Sequence, residues 1–75
     1  MITKNDILKV QTISELNSLM DRVAKEHNCT LDDSLDYKEE AKICEREADI
    51  IMSQSLYELS YLLSVAADRF DELDK

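Results

Sequence analysis

His27, Cys29 and Cys44 are the only soft metal ligands and the readiest nucleophiles in this 75-residue chain. A tetrahedral zinc site needs four ligands, usually including a Cys-x2–4-Cys element. No such pair occurs, so a carboxylate or a second subunit would have to complete the set. Cys44 and His27 would make a nucleophile–base couple. Cys44, however, falls between Ala41 and Ala48 on an apolar seam, where a thiol behaves as a small hydrophobe. Glu40, Glu45 and Glu47 surround it with negative charge, the reverse of what activates a thiol. The three residues read as a turn histidine, a turn thiol and a core thiol. No catalytic, cofactor-binding or metal residue is assigned.

The carboxylates are the second candidate. Asp33, Asp36, Glu39 and Glu40 lie within two turns, and Asp36, Glu40 and Glu47 align on one face of a helix. Clustered helix carboxylates can hold Mg²⁺, as in all-helical nucleotide pyrophosphohydrolases. Those enzymes present Glu-x-x-Glu on one helix and Glu-x-x-Asp on the next, and this chain has neither spacing. A solvated acidic face accounts for the same residues. Mimicry of nucleic acid is the other alternative, with the acids occupying a basic DNA- or RNA-binding site. Residues 31–53 carry eight acids and three bases, a net of −5. Duplex of the same length, about 33 Å, would carry about 20 charges. A whole duplex is therefore poorly imitated, although local competition for a basic groove stays open.

The elements that would position these groups follow from composition. The chain contains no glycine and no proline. Those residues supply positive-φ turns and break helices, so long helices joined by polar connections are expected. Thr3 with Asp6, and Thr12 with Glu15, are N-terminal capping signals. The chain either bends near Gln11 or runs through as one helix. Beyond Thr12, Ile13, Leu16, Met20, Val23 and His27 repeat at 3, 4, 3, 4, the spacing of a packed helical seam. Asn28 stands in for a C-capping glycine, and Thr30 caps a second helix. Tyr37, Ala41, Cys44, Ala48 and Ile51 form its seam of mostly small residues.

A third seam is the most regular: Met52, Leu56, Leu59, Leu63, Ala66, Phe70 and Leu73. It starts one residue out of register with the second. Either one helix runs from about Leu31 to Leu73, roughly 60 Å at 1.5 Å per residue, or Ser55 with Glu58 caps a new one. Helices are thus expected over about 4–27, 31–52 and 55–74, the last two continuous or broken. Residues 1–75 form a single all-α domain, a helical hairpin or three-helix bundle. A chain this short has a marginal core, so a homodimer or higher oligomer is expected through the C-terminal seam.

Net charge is −8, which opposes direct binding to nucleic acid or anionic lipid. No apolar stretch is long enough for a membrane span. With two cysteines and no signal-like start, a cytoplasmic setting is expected. The functional expectation is a non-enzymatic coiled-coil-like module that binds, and inhibits, a larger protein partner, the acidic charge favouring a basic one. Its composition is that of accessory proteins of bacteriophages and mobile elements. Partner contacts are assigned to Asp36, Glu40, Glu47, Tyr57 and Tyr61. Core or oligomer contacts are assigned to Ile13, Leu16, Met20, Val23, Met52, Leu56, Leu59, Leu63, Phe70 and Leu73.

Overall fold

Each of the two hydroxyl–carboxylate pairs near the start of the chain begins a helix in the computed structural model, which describes Met1–Lys75. Thr3 precedes α1 (Lys4–Lys9). The Asp6 carboxylate accepts the Thr3 backbone N–H at 2.8 Å and the Thr3 hydroxyl at 3.2 Å. Thr12 precedes α2 (Ile13–Glu26), and its hydroxyl oxygen accepts the Glu15 N–H at 3.1 Å. Glu15 reaches back to the Gln11 N–H at 3.3 Å. The span 4–27 is therefore two helices, separated at Val10, whose ψ of 145° is extended.

Asn28 makes the turn expected of it. It sits in the left-handed region at φ 59°. Its N–H bonds Lys25 O at 3.0 Å, and the Cys29 N–H bonds Ala24 O at 2.8 Å. These two bonds satisfy the carbonyls that a helix end leaves open.

Residues 31–36 are not helical, which corrects the expected second helix. The Asp32 carboxylate accepts the Ser34 N–H at 2.9 Å and the Ser34 hydroxyl at 2.7 Å. Short polar side chains bonded to nearby backbone compete with helix in this way. The helix start is delayed to Asp36, whose carboxylate accepts the Glu39 N–H at 2.8 Å and caps α3 (Tyr37–Ile51).

The chain breaks again at Met52, which is left-handed at φ 55°. Ser53 donates its N–H to Ala48 O at 3.2 Å, and its side chain accepts the Leu56 N–H at 3.2 Å to cap α4 (Gln54–Leu73). The cap is Ser53 rather than Ser55. The one-residue register shift between the second and third seams is thus a helix break. The molecule is 35 Å in its longest dimension, and the continuous rod is excluded.

The fold is all-α with four helices and no strand. α4 is central, packed against α3 as a hairpin and against α1 and α2 on its other sides. Leu59, Leu63 and Ala66 are fully buried on α4, facing Leu16, Met20 and Val23 of α2, Ile7 of α1 and Ala48 of α3. The leucine seam is therefore the core of a single chain. Four of the residues assigned to core or oligomer contacts lie outside the buried core. Met52 is 79% exposed because the left-handed corner turns it outward. Ile13 is half-buried at the first position of α2, and Phe70 and Leu73 only flank the core.

Two side chains of α4 bond backbone carbonyls of neighbouring elements. Ser60 is buried on α4 and donates its hydroxyl to Ala41 O of α3 at 2.8 Å. Arg69 points two N–H groups, at 3.2 and 2.7 Å, onto Val10 O at the end of α1. Every buried side-chain nitrogen and oxygen has a hydrogen-bond partner.

Candidate functional site

The connection 31–36 fails to form helix and instead walls one side of an open groove of about 870 Å³. α2 contributes Asn17 and Asp21, the first turn of α3 contributes Tyr37, Lys38 and Glu40, and the end of α4 contributes Asp68, Phe70 and Asp71. Asp32, Asp33 and Asp36 come from the connection itself. Seven carboxylates thus meet one lysine.

Tyr37 and Phe70 form an edge-to-face pair inside this ring, with centroids 6.2 Å apart and planes at 73°. The Tyr37 hydroxyl donates to Asn17 Oδ1 at 2.5 Å, bracing α3 against α2. Burial, with Asp21 adding negative charge, pushes the Tyr37 pKa up to about 12.

The carboxylates divide by what they already bind. Glu40 is only 7% exposed and accepts the Asp32 N–H at 2.7 Å, so it anchors the connection to α3. Asp36 caps α3. The Ser34 hydroxyl and then its backbone N–H hold the Asp32 carboxyl below the usual range. Asp21, Asp33, Asp68 and Asp71 make no side-chain hydrogen bond within the chain, and the single ion pair is Arg69–Glu72 at 3.1 Å. Those four are free to meet a cation. No three His, Cys, Asp or Glu side chains converge closely enough to hold a metal ion.

The five residues assigned to a partner do not form one surface. Asp36 and Glu40 line the groove, but Glu40 is turned inward. Glu47 is exposed on the middle of α3, outside that groove. The acidic face expected of Asp36, Glu40 and Glu47 is consequently not a continuous exposed strip. Tyr57 and Tyr61 lie in a separate, shallower depression of about 370 Å³ with Met1, Ile2 and Leu62. The Tyr57 hydroxyl is held by Asp49 of α3, a bond that raises its pKa.

No local spacing marks Asp21 with Asp68 and Asp71, because α2 and α4 lie far apart along the chain. The signal that was available is Asp32-x-Ser34 followed by Asp36-x-x-Glu39, an Asx turn leading into a helix cap.

The soft ligands are placed as expected of structural residues. His27 Nδ1 and Ser55 Oγ are 2.8 Å apart, so the turn histidine ties the end of α2 to the start of α4. The Cys29 thiol donates to His27 O at 3.5 Å. Cys44 is buried, and burial, with Cys29, Glu40 and Glu47 contributing, pushes its pKa up to about 11. No helix is long and apolar enough to cross a membrane. No protein-family model matches the chain, and no curated protein or solved structure matches it.

Proposed function

We propose that this protein is a non-enzymatic binding module that holds a basic segment of a larger protein in its acidic groove and thereby inhibits that partner. The observation that carries this reading is the convergence of Asp21, Asp33, Asp68 and Asp71, all without partners, around the Tyr37–Phe70 pair. Lysine or arginine side chains suit such a place. Their charge meets the carboxylates, and their stems or guanidinium planes lie against aromatic rings. The negative field also steers a basic partner and raises its on-rate.

The nucleic-acid mimic is less well supported, since Glu40 is withdrawn from the surface and already hydrogen-bonded. The pyrophosphohydrolase alternative has no observation in its favour. Self-association remains part of the reading, through a surface other than the leucine seam.

The test is titration with a fluorescent arginine- and lysine-rich peptide, read by anisotropy. Reversing Asp68 and Asp71 to lysine should weaken binding by at least about tenfold and flatten its salt dependence. Reversing Glu47 should leave binding nearly unchanged. Equal losses at Glu47 and at Asp68 with Asp71 would mean a diffuse charge effect, and the groove assignment would fail.

A further inference from the structure

We propose that two copies of this chain associate through the α3–α4 corner and the tyrosine-lined depression beside it, the corner of each copy seating in the depression of the other. Ile50, Ile51 and Met52 are 74%, 63% and 79% exposed, three consecutive large apolar side chains at a helix break. Turns are ordinarily polar, and a run of this kind on a surface marks an interaction site. The backbone does not call for it either. Met52 occupies a left-handed position that glycine or asparagine fills at less cost.

The depression is the matching feature. Five of its seven lining residues are hydrophobic. Gln54 links it directly to the corner, two residues past Met52. Met1 and Tyr61, 97% and 54% exposed, are its most prominent walls. Projection and depression are thus neighbours along the chain, and in the proposed pairing a single two-fold axis fills both at once. Such reciprocal contacts close at a dimer instead of propagating into a filament.

Area supports the second copy as occupant. At roughly 200 Å² for a large side chain, Ile50, Ile51, Met52, Met1 and Tyr61 expose about 700 Å² per copy. Covering all of it in two copies would bury at most about 1,500 Å², within the roughly 1,200–2,000 Å² of stable interfaces. Charge supports the same choice. Two chains of net −8 repel, and they approach most easily where charges are sparse. The depression has one charged side chain, Glu58, beside the Met1 ammonium, and shares no residue with the acidic groove. The dimer therefore leaves both acidic grooves uncovered.

Sedimentation equilibrium up to millimolar concentration tests this, with circular dichroism confirming that each variant is folded. Wild type should show a monomer–dimer equilibrium. Met52→Asn keeps a residue suited to the left-handed corner, and Tyr61→Lys alters an exposed position, so neither should disturb the fold. Each should raise the dimer dissociation constant at least about tenfold, and together they should give a monomer. Asp68→Lys should not weaken the dimer. A wild type that stays monomeric overturns the proposal, including one that instead sediments with neutral phosphatidylcholine vesicles. So does a dimer that both corner and depression variants leave intact. Neither result bears on peptide binding in the acidic groove, which is read separately.

Discussion

Replacing Arg69 by alanine should be among the most damaging single changes outside the apolar core. Its side chain is 17% exposed and directs two N–H groups at Val10 O, 59 residues away in sequence. A hydrogen bond from a charged donor contributes about 1.5–3 kcal/mol. The two donors share one acceptor, so the second adds less than the first. Loss of the packed stem adds a little more. About 2–3 kcal/mol is a consistent total, a large part of the roughly 5–15 kcal/mol that holds a small domain folded. At about 4–8 °C per kcal/mol for a chain of this size, the melting temperature should fall by roughly 10–20 °C. Urea unfolding followed by helical circular dichroism measures this directly, and the slope with denaturant should stay constant. Arg69→Lys should fall between, because an ammonium cannot present the planar fork. Glu72→Ala should change little, since Glu72 is 58% exposed and exposed ion pairs contribute about 0–1 kcal/mol. If Arg69→Ala costs no more than Glu72→Ala, the clamp between α1 and α4 is not a stabilising contact.

Three further outcomes follow from other sites. Burial raises the pKa of Tyr37 in the folded chain to about 12, from an ordinary 10.0. Its contribution to stability should therefore be complete below pH 10 and fade as pH rises toward 12, seen as tyrosinate absorbance appearing together with loss of helix. Cys44, buried and with a pKa pushed to about 11, should react with a disulfide reagent at pH 8 only as fast as the chain opens. Reaction of both thiols at the rate of a free cysteine would contradict that burial. Asp36→Ala removes the cap of α3 and should cost about 0.5–2 kcal/mol in chemical unfolding. Asp33→Ala, on the same connection without such a bond, should cost far less.

The helical class was legible because the chain has no residue that readily turns or breaks a helix, and the seam Leu16–Met20–Val23 with Leu56–Leu59–Leu63 is fully or nearly fully buried. Caps at Thr3, Thr12 and Asn28 were readable because each is a local bond between neighbours. What local pattern could not settle was competition. At residues 31–36 the Asp32–Ser34 turn prevailed over a helical pattern that continued through it. At Met52 a residue with no turn preference took a left-handed conformation, because the hairpin of α3 on α4 covers more apolar surface than a continuous rod leaves covered. The candidate site was legible only in charge. Its Asp21, Asp68 and Asp71 are brought to the connection by the packing of α2, α3 and α4, which no spacing within one helix reveals.

The two left-handed corners give this chain an unusual reserve. Asn28 and Met52 hold positive φ with side chains attached, and at Met52 that conformation strains the backbone by about 1–2 kcal/mol. In the interior of a helix glycine is destabilising. Here glycine, which the chain never uses, would relieve strain at the corner, offset in part by the greater freedom of the unfolded chain. A sequence without glycine thus leaves unused a simple route to a more stable version of itself.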